Sequence, residues 1–299
     1  MGVTAQEHAS TAPMRSIPWY RSKRMREVAG RVVTFVLLAL VAFLFLAPLA
    51  WMLATSLKPA TQVFELNWIP NPIVWSNYKD ALTSAPFDIY FRNTLIITVM
   101  STLGTVLSCS LVAYSFARLR WPGRDLWFIL ILGTMMLPGV VLLIPQYILF
   151  AKLGWVNTFR PLIVPAWLST NAFFVFLLRQ FFRTIPMDLS EAAKIDGASE
   201  LRIWWQIVMP LSRPALAAVT IFAFNGAWGD YLNPLIYLST ENKYTLQLGL
   251  TTFQQAAGGL PRWDWMMAAS FVVMLPVGIV FFAFQRYFIE GITMTGIKR

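Results

Sequence analysis

Six long apolar stretches alternate with polar, charge-bearing segments along the chain. Five of them contain no charged residue, and the other contains a single acid, Asp230. An α-helix needs about 20 apolar residues to cross the hydrocarbon core of a bilayer, so each stretch is long enough to span. Pro48, Pro138 and Pro276 fall within or near the ends of these stretches, where neighbouring helices can satisfy the freed carbonyls. The pattern predicts an all-α integral membrane protein with six transmembrane helices, over Val32–Ala54, Asn93–Ala117, Leu126–Phe150, Pro161–Leu178, Pro214–Leu238 and Trp265–Gln285.

The first apolar stretch follows a polar leader that is rich in Arg and Lys. A cleavable signal peptide is the competing interpretation, but the apolar core of such a peptide has only about 7–15 residues. Val32–Ala54 is longer, so we interpret it as the first transmembrane helix. The chain then divides into a basic leader, residues 1–31, and a six-helix domain, residues 32–299.

Composition agrees with a membrane protein. Of the 299 residues, 57% are hydrophobic and 13% are charged, whereas roughly 25% of a soluble domain is charged. The net charge of +10 would suit nucleic acid, but the basic residues cluster beside the apolar stretches, so we expect no nucleic-acid partner. The single cysteine, Cys109, gives neither a disulfide framework nor a metal-ligand set. The sequence has no HExxH, GxSxG or GxxxxGK[ST] motif, so we expect no catalytic residue, metal site, cofactor or ATPase activity in this chain.

The distribution of basic residues between loops predicts the orientation. With the N-terminus in the cytoplasm, the leader, residues 118–124, residues 179–213 and the C-terminal tail carry 17 of the 24 Lys and Arg residues. Cytoplasmic loops of membrane proteins carry the excess of positive charge. We therefore expect both termini in the cytoplasm.

The loop between the fourth and fifth stretches, about residues 183–210, has helix signals of its own. Asp188 precedes Glu191 by three residues, which is the spacing of a capping box, so a short helix should begin near Asp188. Gly197 adopts positive φ at little cost and can end that helix. Ser199 can cap a second helix, so a cytoplasmic helix–turn–helix is predicted between transmembrane helices four and five.

Two interpretations of this loop remain open on physical grounds. An amphipathic helix can rest on lipid headgroups, or a short helix can dock on another protein. The small side chains of Ala192, Ala193 and Ala198 slightly favour docking, because a lipid-resting helix usually carries bulkier apolar residues.

The loop also resembles a known family. The run Glu191-Ala192-Ala193, the glycine at 197 and, after nine more residues, Ile207-Val208-Met209-Pro210 resemble the EAA loop of ABC importer permeases. Only Met209 departs from the motif, where it replaces leucine at similar volume. Three other segments are similar to the second permease of the carbohydrate branch, as in maltose-, glycerol-phosphate- and trehalose-type systems: Tyr114–Arg124, Trp228–Leu238 and Gln285–Lys298.

The resemblance implies a permease subunit that forms half of a carbohydrate pathway and couples ATPase closure to alternating access. Its implied partners are a second permease, two copies of an ATPase that holds ATP and Mg²⁺, an extracytoplasmic solute-binding protein and membrane lipid. Its implied location is the cell (inner) membrane of a bacterium or archaeon. The residues that would contact the ATPase are Glu191, Ala192, Ala193, Asp196 and Gly197.

Polar residues inside the predicted helices indicate where substrate passes, since such groups are costly in lipid and usually line a cavity. On one continuous fifth helix, Asn225, Asp230 and Asn233 would share an arc of about 140°. The other candidates are Thr170 and Asn171 on the fourth helix, with Trp228 and Tyr231 as stacking surfaces. Alternatively, Asp230 reaches the outer surface, Asn225 and Thr170 bond neighbouring helices, and the partner permease holds most substrate contacts.

Three other function classes fit the sequence less well. A secondary transporter or channel normally places paired acids or broken helices at the membrane midplane, and here only Asp230 is available. An ABC permease for amino acids or phosphate would share the loop motif but not the carbohydrate-like segments. A membrane enzyme would need a catalytic pair, which the sequence does not offer.

Overall fold

The computed structural model describes residues 23–168, 171–255 and 261–296, with backbone alone at 23–26, 255 and 287–296. Within these ranges the chain is helical and has no strand, which confirms the predicted all-α class. Three short 3₁₀ turns lie at Ala60–Gln62, Glu241–Lys243 and Thr252–Gln255. The α-helices are α1 Lys23–Ser56, α2 Ser76–Thr83, α3 Phe87–Arg118, α4 Arg124–Thr134, α5 Gly139–Lys152, α6 Arg160–Trp167, α7 Ala172–Phe182, α8 Asp188–Ile195, α9 Glu200–Ile203, α10 Met209–Leu211, α11 Arg213–Trp228, α12 Leu232–Tyr237, α13 Leu246–Thr251 and α14 Trp263–Gly296.

Helix α1 begins inside the basic leader, nine residues before the predicted start of the first span. Its side chains from Val28 to Leu46 are almost all exposed and apolar. Pro48 lies inside the helix. An apolar helix without a polar face is typical of a transmembrane segment.

Four helical segments are long and apolar enough to cross a membrane: Glu27–Ser56, Phe87–Arg118, Arg160–Phe182 and Trp263–Arg286. Two further segments are bent pairs of helices, α4 with α5 at 98°, and the helical run Glu200–Leu211 with α11 at 85°. Counting each pair as one span gives six, but the second pair begins at Glu200, inside the predicted helix–turn–helix loop, and not at Pro214. The count of six therefore stays a prediction.

The predicted third span, Leu126–Phe150, is not one straight helix. It ends as α4 at Thr134 and resumes as α5 at Gly139, after a turn in which Leu137 donates its N–H to the carbonyl of Thr134. Pro138 precedes α5 with an extended backbone. Proline has no N–H and its ring clashes with the preceding turn of a helix, which explains a break at this point.

The predicted fifth span, Pro214–Leu238, is also interrupted. Helix α11 ends at Trp228, and the short helix α12 begins three residues after the intervening Gly229. Asn225 thus lies on one helix, while Asn233 lies on another and Asp230 lies between them. The expectation that these three share one helical face is wrong, because it required an unbroken helix.

Helix α3 lies at the centre of the described fold, packed against α6, α7 and α11, while α11 also packs against α14. Two buried apolar clusters hold these helices together. The loop-side cluster joins the C-terminal half of α3 to α7, α11 and the segment after α7, through Cys109, Ala113, Tyr114, Phe116, Phe128, Phe174, Val175, Leu178, Phe182, Ile185, Ile203, Val208, Ala215 and Val219. The far cluster joins its N-terminal end to α2, α13 and α14, through Ala81, Phe87, Tyr90, Trp228, Leu246, Leu250, Phe253, Ala268, Ala269 and Val273.

Candidate functional site

The helix–turn–helix loop, residues 183–210, contains two helices where the sequence predicts them. Helix α8 begins at Asp188, as expected, but Asp188 is its first residue and not its cap. The N-cap is Met187, which makes no side-chain capping bond, so the predicted capping box is not formed. Asp188 and Glu191 still lie in the first turn, where negative charge is favourable beside the unpaired N–H groups.

Gly197 ends α8 in the left-handed conformation, with φ +81°. The N–H of Gly197 bonds the carbonyl of Lys194 at 3.0 Å, and that of Ala198 bonds the carbonyl of Ala193 at 2.9 Å. These two bonds form a Schellman motif, which satisfies carbonyls that the helix end would leave unpaired. The positive φ predicted for Gly197 is confirmed.

Ser199 caps the second helix, also as predicted. Its hydroxyl accepts a bond from the N–H of Arg202 at 3.4 Å. Helix α9 then continues through a π-helical segment, Trp204–Val208, into α10. Single π-helical turns often mark functional positions in helices.

The five predicted ATPase-contact residues divide by exposure. Glu191, Ala192 and Asp196 are exposed, as is Gly197, while Ala193 is half-buried against the loop-side cluster. Ile195 is 87% exposed beside them. One side of α8 thus packs on the fold and the other presents small, acidic and apolar side chains outward.

A hydrogen bond and an ion pair attach this loop to α3. The Tyr114 hydroxyl donates to Oε2 of Glu200 at 2.6 Å, and Lys194 Nζ lies 2.6 Å from Oε1 of the same carboxylate. Burial acts to raise the pKa of Glu200, but the bonds from Lys194 and Tyr114 outweigh it and hold that pKa below its ordinary value. The carboxylate therefore stays charged and links α3, the end of α8 and the start of α9.

Two arginines fix the base of the loop. The buried Arg118 donates Nη1 to the carbonyl of Pro186 at 3.3 Å and approaches Sδ of Met187 at 2.7 Å. Arg179 donates Nε to the carbonyl of Phe116 at 3.3 Å and lies over the ring of Phe128 at 3.8 Å. Arg118 ties the backbone just before α8 to α3, and Arg179 joins α7, the helix that leads into the loop, to α3, so α8 starts from a fixed point.

A second candidate site is a cavity of about 480 Å³ between α5, α6 and α12. Its polar lining comes from Gln146, Asp230, Asn233 and Tyr237. Its apolar lining comes from Leu149, Phe150, Leu153, Trp155, Pro161, Leu162, Val164, Pro165 and Leu168. A mostly apolar cavity with a few convergent polar groups is the usual form of a small-molecule site.

Two of the predicted pathway residues meet in this cavity. Asp230 accepts from the N–H of Asn233 at 3.2 Å and from its side-chain amide at 2.8 Å. The first bond ties Asp230 to the first turn of α12, whose N-cap residue is Tyr231. Gln146 and Tyr237 were missed by sequence reasoning. For Gln146 the available sequence signal was an amide within a largely apolar helix. Nothing in the sequence singled out Tyr237.

The other predicted pathway residues lie elsewhere. Trp228 is 2% exposed, donates its indole N–H to the carbonyl of Val273 at 3.0 Å and stacks on Phe224 at 5.5 Å. It belongs to the far cluster and offers no free face to a sugar, so the expectation that it stacks on substrate is wrong for this structure. Asn225 and Tyr231 are exposed.

The two predicted residues of the fourth helix have separate outcomes. Asn171 caps α7, because its side-chain oxygen accepts from the N–H of Phe174 at 3.1 Å. Thr170 lies outside the described residues.

A family comparison identifies the class of protein. The model of the binding-protein-dependent transport system inner membrane component matches residues 109–293. The chain belongs to this family. The matched part of the permease includes the helix–turn–helix loop and the cavity residues, and the family resemblance inferred from the loop motif is confirmed.

Curated relatives cover most of the permease. The arabinooligosaccharides transport system permease protein of Halalkalibacterium halodurans is 33% identical over 87% of this chain and 94% of its own. The sn-glycerol-3-phosphate transport system permease protein of Yersinia enterocolitica is 34% identical over 86% and 94%. The trehalose/maltose transport system permease protein of Thermococcus litoralis is 32% identical over 91% and 98%.

Solved structures have the same fold as the permease. A chain of a bacterial ABC transporter involved in the import of the acidic polysaccharide alginate superposes with a TM-score of 0.77 at 26% identity, covering 91% of this chain and 100% of its own. A chain from an alginate ABC transporter in complex with alginate pentasaccharide-bound periplasmic protein gives 0.61 at 16% identity, over 86% and 93%. The second likeness shows the fold alone.

Proposed function

We propose that this permease forms half of the translocation pathway of an ATP-driven carbohydrate importer. The observation that carries the proposal is the exposed face of α8, held to α3 by Tyr114 and Glu200, in a chain of the binding-protein-dependent permease family. A short helix that is attached at both ends and exposed on one side can pass the movement of a bound protein to the helices that hold it.

In this proposal, ATPase closure moves α8, and the attachments of the loop pass that movement to the transmembrane helices. Glu191, Ala192, Ala193, Asp196 and Gly197 form the contact. The Schellman turn at Gly197 and the bonds of Glu200 keep α8 at a constant angle to α3. Rigid-body movement of a packed element between two positions is a common form of switching.

The cavity between α5, α6 and α12 is our proposed contribution to the pathway. Asp230 and Asn233 supply hydrogen-bonding groups, and Gln146 adds an amide. Trp155 lines the same cavity, and a flat aromatic ring suits the apolar face of a sugar ring. Among the sequence candidates, Asn225 and Tyr231 remain on the proposed pathway as exposed residues.

The proposed substrate is a neutral or weakly charged carbohydrate, such as an oligosaccharide or sugar derivative. The relatives that transport arabinooligosaccharides and trehalose or maltose support this class. The cavity lining contains the acid Asp230 and no Lys or Arg, whereas an anionic substrate is normally met by bidentate Arg or by Lys.

The remaining parts of the proposal concern assembly and placement. The permease pairs with a second permease, two copies of an ATPase that holds ATP and Mg²⁺, and an extracytoplasmic solute-binding protein. It lies in the bacterial or archaeal cell membrane as six spans, with the basic leader 1–31, the loop 183–210 and both termini in the cytoplasm. The chain itself performs no ATP hydrolysis.

Reconstitution tests this proposal. The purified permease alone in liposomes should take up no sugar with ATP, because its energy source is supplied by another chain. Adding the second permease, the ATPase and the sugar-loaded binding protein should produce ATP-dependent uptake. Robust ATP-dependent uptake by the permease alone, or uptake specific for an amino acid or a metal ion by the full set, would overturn the proposal.

A further inference from the structure

In the segment that follows α1, apolar side chains are exposed and a charged side chain is buried. Phe64, Leu66 and Ile69 are 80%, 86% and 81% exposed. In the same segment the side chain of Lys58 is 1% exposed, and its ammonium donates to the carbonyl of Glu65 at 2.7 Å. Water would favour the reverse arrangement, so the segment is built for surroundings that are less polar than water.

This segment is a closed loop, residues 57–74, that follows the last residue of α1. The N–H of Val74 bonds the carbonyl of Leu57 at 2.9 Å and closes the loop. Asn77 donates to the carbonyls of Ser56 and Lys58 at 2.9 and 2.8 Å, which attaches α2 to the same point. The loop that carries the exposed apolar side chains therefore follows directly after the apolar span Glu27–Ser56 in the chain.

The backbone of the loop limits how deep it can lie. It is irregular except for one 3₁₀ turn at Ala60–Gln62 and contains Pro59, Pro70 and Pro72. Unpaired backbone groups are not tolerated against the hydrocarbon core. They are tolerated in the headgroup region, where water and lipid polar groups can bond them.

The order of residues favours lipid over protein as the occupant. Polar Glu65, Asn67 and Asn71 alternate with the exposed apolar side chains, and Trp68 and Trp75 are 55% and 69% exposed. Charged groups are depleted from the cores of protein interfaces. Tryptophan, with its apolar rings and polar N–H, is enriched where a membrane meets water.

We propose that loop 57–74 lies in the headgroup region of the bilayer, with Phe64, Leu66 and Ile69 inserted toward the acyl chains. It thereby anchors the junction between α1 and α2 at a fixed depth. This placement does not depend on the substrate or on the ATPase contact. The placement is also independent of the roles proposed for the helix–turn–helix loop and for the cavity.

Fluorescence quenching tests the placement. Leu66→Cys and Ile69→Cys are made in the full chain carrying Cys109→Ser, labelled with bimane and reconstituted with the partner subunits into nanodiscs. We expect strong quenching by lipids brominated on the acyl chain and weak quenching by aqueous iodide. Lys79→Cys, at an exposed position of α2 nearby, is the matched control and should show the opposite pattern.

Two results would overturn the proposal. Quenching of both labels by iodide alone would place the loop in water. Protection from both quenchers, with crosslinking of residue 66 or 69 to the partner permease, would show a protein occupant. Phe64→Cys serves as a third position if either variant lowers the yield of the complex.

Discussion

The hydroxyl of Tyr114, in the last turns of α3, donates a 2.6 Å hydrogen bond to the carboxylate of Glu200 at the start of α9. The two residues are 86 positions apart in the sequence. Glu200 also pairs with Lys194, near the end of α8. One carboxylate thus joins a membrane-spanning helix to both helices of the helix–turn–helix loop.

Removing the Tyr114 hydroxyl should weaken coupling more than assembly. Tyr114→Phe keeps the ring in the loop-side cluster and deletes one bond to a carboxylate. Such bonds contribute about 1.5–3 kcal/mol when buried, and less here because the Glu200 side chain is 40% exposed. We expect a normal yield of complex, ATPase activity retained, and uptake per ATP reduced several-fold.

Tyr244→Phe is the control for this variant, because it removes a hydroxyl at the far cluster, away from the loop. Uptake and ATP hydrolysis are measured on the same proteoliposomes. Equal coupling ratios for the two variants would show that the Tyr114 bond does not transmit movement.

The turn at Gly197 should not accept a β-branched residue. A Cβ at this position would meet no atom within 4 Å, so Gly197→Val acts through backbone strain at φ +81° and not through a clash. The left-handed conformation costs roughly 1–2 kcal/mol for a residue with a side chain. We expect membrane insertion to persist while uptake is blocked, because α8 is misaimed.

Gly154→Val is the matched control, since Gly154 also has positive φ, at +67°, and open space around it. It lies after α5, outside the helix–turn–helix loop. The strain is comparable in the two variants, so only Gly197→Val should uncouple the ATPase. Wild-type transport by Gly197→Val would remove the coupling role from this turn.

The features of the helix–turn–helix loop that the sequence predicts correctly are those that depend on local backbone chemistry. Gly197 and Ser199 act on the backbone within a few residues of themselves, and both do what their residue types suggest. The bond from Tyr114 to Glu200 depends on how α3 packs against the loop. No pattern within either segment contains that information.

The interruptions of the predicted third and fifth spans show a second limit of prediction from the sequence. Hydropathy finds Leu126–Phe150 and Pro214–Leu238, because both are mostly apolar and Asp230 is the only charged residue in them. Hydropathy does not reveal a bend, since neighbouring helices can accommodate a proline within a span. The cavity depends on these two breaks, so Gln146 and Tyr237 could not be grouped with Asn233 from the sequence.

The topology can be tested by labelling. Single cysteines at residue 80 and in the leader, in a chain with Cys109→Ser, are exposed to an impermeant thiol reagent in intact cells and in inverted vesicles. We expect residue 80 to react only from outside and the leader only from the cytoplasmic side, in line with the bias of basic residues. Reaction of residue 80 only from inside would contradict the six-span arrangement.

Asn225 distinguishes a pathway role from a packing role. Its side chain is exposed on α11, so Asn225→Leu should leave the yield of the complex intact and reduce sugar uptake. If Asn225 instead bonds a helix of the partner permease, the same change should lower the yield. Both quantities are measured together, and no change in either would remove Asn225 from the site.

The charge of Asp230 should matter less for folding than its oxygen atoms. Asp230→Asn keeps an oxygen that can accept from the N–H of Asn233, while Asp230→Ala removes this bond to the first turn of α12. Losing a hydrogen bond of this kind costs about 0.5–1.5 kcal/mol. We expect the alanine variant to assemble less well, and the asparagine variant to assemble normally with slower uptake. Equal assembly of the two variants would show that the bond from Asp230 does not hold α12 in place.

Gln146 gives the sharpest test of the cavity. It is exposed in the middle of the largely apolar helix α5 and lines the cavity with Asp230 and Asn233. Gln146→Leu substitutes a slightly shorter apolar side chain and removes one amide that can bond a sugar hydroxyl. A neutral hydrogen bond contributes about 0.5–1.5 kcal/mol, which corresponds to a roughly two- to tenfold lower uptake rate.

The control for Gln146→Leu is Ile148→Leu, a change without loss of polarity at an exposed position two residues along the same helix. Uptake of the sugar and basal ATPase activity are compared in proteoliposomes of equal complex content. A pathway role predicts that only Gln146→Leu slows uptake and that basal ATP hydrolysis is the same in both. If Gln146→Leu transports at the wild-type rate, substrate does not contact this wall of the cavity, and the partner permease must supply the polar groups.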